Sequence, residues 1–252
     1  TAVTIDASEN VGIGVVPEAW NLGGALQIGR TSITGQADAA GGNLSYNTYY
    51  NSGWKYKDSL ATSQLAIVDG LFTFKVAPSG SADAAISWTT GFEVLAGGKA
   101  RAKNGLLFGT DTAAANTLSD FETGSWTPRI KSNTGEGSGT AYSNQAGRYT
   151  KIGDTVHCDF NCDVSTEGSF SGNYLQLAGF PFNISNNVTT VHLGNVYFYG
   201  LDQSIISLGL QAEQGQAHAY LWMKSGASTS REYLSLTGLG TAQITGSFCY
   251  KV

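Results

Sequence analysis

Carboxylate pairs, histidines and cysteines are the residues of this sequence whose types could do chemistry. Asp159 with Asp163, Glu213 near His218, and Asp83 with Glu93 are the carboxyl groups glycoside hydrolysis would draw on, since it needs two flanking one bond. Asp159 and Asp163 share one side of an alternating stretch about 13 Å apart, beyond the separation an inverting pair uses. They read as solvating charges. His157, His192 and His218 show no metal-ligand spacing. No Gly-x-Ser-x-Gly turn and no local Ser-His-Asp set occurs. Cys158 and Cys162 point the same way on one strand but lie about 13 Å apart, too far for a disulfide. The three cysteines, with Cys249, read as small buried apolar residues. No catalytic residue, metal site or cofactor is expected, and the chain does not read as an enzyme.

Aromatic rings are more informative. Between Ala217 and Lys224 the apolar Ala217, Ala219, Leu221 and Met223 make one face, so Tyr220 and Trp222 point the other way with His218 and Lys224. From Val191 to Tyr199 the parity shifts at Gly194-Asn195, which predicts a bulge there. Val191, Leu193, Val196 and Phe198 then face the core, and Tyr197 and Tyr199 face outward. Rings flanked by hydrogen-bonding groups suit sugar stacking, so Trp222, Tyr220, Tyr199 and Tyr197 are the candidate carbohydrate-binding residues. Packing against a second sheet or a sister subunit is the alternative left open. The polar face around His157, Asp159 and Asn161 is the next place to look.

The elements that position these residues are strands. In 252 residues there are 33 Gly, 4 Pro and only 13% charged residues, about half the usual charged share. A hydrophobic fraction of 41% excludes a chain too polar to fold. This suits short strands and tight turns. The net charge of −5, with 14 scattered basic residues, excludes a nucleic-acid surface. No apolar run approaches the roughly 18 residues of a membrane span. The chain has no initiator Met, which reads as a fragment or processed product.

Two halves are expected, joined near Gly109 to Phe121. In residues 1–109 short apolar patches alternate with Gly-rich breaks, as in Val11-Gly-Ile-Gly and Leu71-Phe-Thr-Phe, and none can bury a core alone. Such strands need other copies of the chain; a small irregular sandwich is the alternative. Residues 110–120 read as a linker or short helical turn. Residues 121–252 carry longer strands: Val156, Cys158, Phe160, Cys162 and Val164 alternate with polar residues, and Ile244, Phe248 and Tyr250 do the same near the end.

Ordered motifs then carry a resemblance. Phe121-Glu-Thr-Gly-Ser-Trp-Thr-Pro, Tyr142-Ser-Asn-Gln-Ala-Gly-Arg-Tyr-Thr-Lys-Ile-Gly-Asp and Leu177-Ala-Gly-Phe-Pro-Phe resemble the C-terminal module of tailed-bacteriophage tail fibres and tailspikes. Glu9-Asn-Val-Gly-Ile-Gly and Tyr49-Tyr-Asn-Ser-Gly-Trp-Lys-Tyr are similar to stretches of the same fibres. The resemblance covers about residues 9 to 183. It implies a parallel homotrimer on a virion, attached to upstream tail proteins and contacting a bacterial surface polysaccharide. The expected fold is all-β: an interlaced trimeric β shaft (1–109), a linker (110–120) and an antiparallel β-sandwich, jelly-roll-like tip (121–252). A depolymerising tailspike with an intersubunit active site and a purely structural trimerisation module are the rival functions.

Overall fold

The computed structural model describes residues 2–35, 41–187, 192–201, 204–226, 230 and 232–252. It is all-β, and the chain divides into two compact units, Thr1–Thr117 and Leu118–Val252. Among the described residues no helix is long and apolar enough to cross a membrane.

The first unit holds β1 (Val3–Ile5), β2 (Val11–Ile13), β3 (Ala25–Ile28), β4 (Thr31–Gly35), β5 (Gly41–Tyr46), β6 (Thr48–Tyr50), β7 (Trp54–Tyr56), β8 (Thr62–Val68), β9 (Leu71–Ala77), β10 (Thr89–Val94) and β11 (Ala100–Ala102). Nine of these form one sheet in the order β1-β2-β3-β4-β5-β8-β9-β10-β11, antiparallel except for the β2–β3 pair. The strands β6 and β7 form a separate hairpin. Cross-strand register sorts the side chains with unusual clarity. Leu26, Ile33, Leu44, Leu65, Phe74 and Phe92 make one row across six strands. That face is open: Ile33 is 53% exposed, and Leu44 and Phe74 are each 47% exposed. The opposite face is buried and polar. Gln27, Ser32, Ser45 and Gln64 form one of its rows.

Local hydrogen bonds explain how a polar face is buried. Gln27 Oε1 accepts from the Glu18 amide at 2.9 Å and from Trp20 Nε1 at 3.2 Å, and Asn10 Oδ1 accepts from the Ala25 amide. The segment before β3 is thereby laid on the sheet's polar side, and Gln64 Nε2 donates to Ser45 Oγ, while Ser32 Oγ and Gln64 Oε1 are buried with no partner among the described residues. The buried apolar cluster here is small: Trp20, Ala25 and Tyr49, with Tyr50 and Trp54 packed against them.

The second unit holds β12 (Phe121–Trp126), β13 (Arg129–Ser132), β14 (Gly135–Glu136), β15 (Ala141–Ile152), β16 (Thr155–Thr166), β17 (Leu175–Ala178), β18 (His192–Tyr199), β19 (Ile205–Ala212), β20 (His218–Ser225), β21 (Glu232–Tyr233) and β22 (Gln243–Lys251). They make one antiparallel sheet in the order β12-β15-β16-β22-β18-β19-β20-β17-β13-β14, with β21 on β20. The sheet curls into a half-barrel. β18 turns the corner, pairing with β19 through Val196 and with β22 from Tyr197 to Tyr199. Curling folds the apolar rows inward onto one core. Val156, Cys158 and Cys162 of β16 meet Leu210 and Leu221 of β19 and β20 there, all fully buried.

Aromatic rings laid over glycines stiffen this sheet. Trp126 faces Gly147 across β12 and β15, where a Cβ would fall 2.6 Å from the indole. Its Nε1 donates to the Arg148 carbonyl, and its ring meets Phe160, Phe180 and Phe248. Trp126 thus fixes where the chain enters this unit, and a glycine at 147 is what leaves room for it.

Candidate functional site: aromatic strip on the outer face of the second unit

The strands β18, β19 and β20 turn one apolar row inward, and that fixes their alternate residues on the outer face. Tyr220 and Trp222 stand there, with Ala219, Leu221 and Met223 buried behind them. Trp222 pairs with Gly209 on one side and Tyr233 on the other. A Cβ at Gly209 would sit 2.5 Å from the indole nitrogen, so the ring lies on bare backbone. His192 meets it edge-on at 5.2 Å. The Trp222 Nε1 is buried with no partner among the described residues. The indole is half-buried and held in one pose.

Tyr220 joins a cluster of three. Its ring centroid lies 5.3 Å from that of Tyr174 and 5.4 Å from that of Tyr233, and Tyr174 and Tyr233 lie 5.0 Å apart. Burial, then the Glu213 carboxylate, push the Tyr220 phenol well above its ordinary value. Glu213 Oε2 also accepts from Gln176 Nε2 at 2.9 Å and lies 2.7 Å from His218 Nε2. Burial chiefly, with Lys131 nearby, pulls the His218 imidazole below its ordinary value, against the hydrogen bond to Glu213. In the neutral ring Nε2 carries the proton that the carboxylate accepts. Glu213 is therefore bonded by Gln176 and His218, and its charge opposes ionisation of the Tyr220 phenol.

The other two candidate rings stand apart from this cluster. Tyr197 and Tyr199 are 62% and 71% exposed and face outward from β18 where it pairs with β22, opposite Thr245 and Gln243. The register shift in β18 falls between His192 and Gly194, one step earlier than Gly194-Asn195. Val191 lies outside the described residues; Leu193 is partly buried and Val196 buried. Sequence reasoning missed Tyr174 and Tyr233. Tyr174 lies outside any strand and β21 is two residues long, so neither had an alternation to read.

The polar face of β12, β15, β16 and β22 holds a shallow groove of about 760 Å³. Trp126, Gly147, Phe160 and Gly246 form a row whose side chains, where present, point inward, which leaves bare backbone as its floor. Arg148, Asp159 and Ser247 stand on one side of it, Asn161 and Thr245 on the other. Beside it Cys249, which is exposed, has its Sγ 3.1 Å from His157 Nδ1, and His157 Nε2 lies 3.4 Å from Asp159 Oδ1. Expected burial holds for Cys158 and Cys162, whose thiols it pushes up to about 12, and fails for Cys249, which sits on the outward parity of β22. Thiol, imidazole and carboxylate are in sequence; β22 pairs with β16 along its length and with β18 only from Gln243 to Thr245.

Compared with known proteins, the chain matches no protein-family profile, no curated protein and no solved structure.

Proposed function

We propose that the chain is the C-terminal part of a tailed-phage tail fibre or tailspike, which attaches a virion to a bacterial surface glycan without cleaving it. The observation that carries this reading is the aromatic strip: Trp222 seated on Gly209, and Tyr220, Tyr233 and Tyr174 in mutual ring contact on the same outer face. Rigid rings offer apolar area at low entropic cost, and the part-exposed Glu213 beside them supplies a polar edge. The carboxylate tied into the strip, Glu213, is already bonded to Gln176 and His218, which suits a positioning role better than acid–base work.

In this reading the protein is a homotrimer on the virion, its first unit an interlaced shaft and its second a jelly-roll-like tip. The open apolar face of the first unit supports assembly. A contiguous apolar surface of this extent marks an interaction site, and three such faces turned to a common axis would bury one another. The same face also favours the rival reading of a structural trimerisation module, and glycan binding separates the two.

The test is Trp222→Ala measured two ways. Binding to host cells or to arrayed bacterial polysaccharides should fall at least tenfold. Because the indole is half-buried over Gly209, stability should fall by only about 1–2 kcal/mol, less than for a fully buried ring. Unchanged glycan binding would remove the strip from the attachment mechanism, and sugar release from intact capsule would make the protein a depolymerase.

A further inference from the structure

Cys249 stands on the outer face of β22, at a place the strand ladder itself selects. Val252 donates its amide to the Asp154 carbonyl and Val164 donates to that of Ala242, so the even-numbered residues of β22 are the ones hydrogen-bonded to β16. Cys249 and His157 therefore form a non-hydrogen-bonded pair, the kind that brings opposed side chains closest. The Sγ lies 3.1 Å from His157 Nδ1, and His157 Nε2 lies 3.4 Å from Asp159 Oδ1. A carboxylate beside Nε2 favours the proton there, which turns the Nδ1 lone pair to the thiol. The other charged groups on this face are Arg148, opposite Asp159, and Lys251, whose Nζ is bonded to Asp154 Oδ1 at 2.5 Å. The thiol is exposed and the imidazole about half exposed, so a reagent can reach both. Cys158 and Cys162, the chain's other two thiols, are fully buried on the opposite side of β16.

We propose that Cys249 is a covalent attachment site, which takes a partner's exposed disulfide into a mixed disulfide with His157 as the base. Disulfide exchange needs a thiol, a base and open approach, and those are what this face holds. As the Cys249 Sγ bonds to one sulfur of the partner, its proton passes to His157 Nδ1. The partner's own S–S bond breaks, and its second sulfur leaves with the bonding pair and takes the proton from Nδ1. One disulfide is exchanged for another, so the step needs no oxidant beyond the partner's disulfide. The placement also decides how long the product lasts. A mixed disulfide is undone by a second thiol within reach, and here both remaining thiols lie on the far side of the sheet. The adduct therefore stays, and a reversible contact made by the second unit would become a covalent one.

The experiment uses the full chain with oxidised glutathione as the probe, near neutral pH, followed by the mass of the intact chain and of its peptides. Wild type should gain one glutathionyl group per chain, on Cys249, and keep it after excess probe is removed. Cys249→Ser should gain none. Cys249 should react at least about tenfold faster in the folded chain than in urea, because unfolding separates it from His157. His157→Gln should bring the folded rate down to about the unfolded one, and Asp159→Asn should lower it severalfold. Neither change should move the melting temperature much, since both side chains are about half exposed or more. In urea the two variants should react as wild type does, which separates loss of the base from damage to the thiol. A folded rate no faster than the unfolded one, or one that His157→Gln leaves unchanged, would overturn the activated site. Linkage of chains to one another through Cys249, in place of the glutathione adduct, would overturn a lasting attachment to another molecule.

Discussion

The two units use the same strand alternation with opposite sign. In the second unit apolar residues face in, and Cys158, Leu210 and Leu221 are fully buried. In the first the buried face is Gln27, Ser32, Ser45 and Gln64, and the apolar row through Leu44 and Phe74 faces out. Alternation guarantees that a strand has two different faces. It does not say which one the chain covers by itself. The second unit curls its sheet until the apolar face closes on its own core, whereas the first spends its loops on the polar face and leaves the apolar one for something else.

The sharpest way to break this contrast is to place a charge on the open face. If other copies cover it, wild type should run in solution at about three times 26.4 kDa, and Phe74→Asp should reduce that to a single chain. A single chain for wild type would leave the face uncovered by its own copies and end the trimer reading.

Truncation should sharpen the contrast. Trp126→Ala removes a ring that is 7% exposed and packed on three phenylalanines, and should destabilise the second unit by about 3–5 kcal/mol. The comparable change Phe74→Ala, at a ring that is 47% exposed, should cost the isolated chain about 1 kcal/mol or less. It should instead weaken assembly. Urea melts at dilute and concentrated protein separate these effects, because only the second depends on concentration.

Acid should touch one unit more gently. All three histidines lie in the second unit. The folded state holds His218 below its ordinary value, so the unfolded chain binds more protons as the pH falls. The stability this gives is fully present above about pH 6.5 and is lost below it. Between pH 7 and 5 the second unit should melt earlier while the first is unaffected, and His218→Gln should flatten that response. This is the smallest of the expected effects, since Glu213 opposes the shift.

The long, regular stretches were legible. Val156 to Val164 and Ile244 to Tyr250 alternate without interruption, and both are strands with the inward face that their polarity indicates. The outward parity of Tyr220 and Trp222 was equally readable from the three apolar residues between and beside them. What could not be read was company. Tyr174 and Tyr233 reach the strip because β17, β20 and β21 become neighbours, and Lys131 reaches it through β13. The β13–β17 and β17–β20 pairings join residues 40 or more positions apart, and β21 returns to β20 after about ten through a stretch without alternation, so no local pattern records them.

The sequence by itself determined that the chain is all-β and, wherever alternation was unbroken, which residues share a side of a strand. The reason is steric: successive side chains on a pleated backbone must point in opposite directions. Only the tertiary structure decided which of the two faces is buried in each unit, that glycines 147 and 209 exist to receive indoles, and that the Cys249 thiol stands against His157. Those outcomes depend on which strands lie side by side and how far the sheet curls, and both are set by contacts summed over the whole unit.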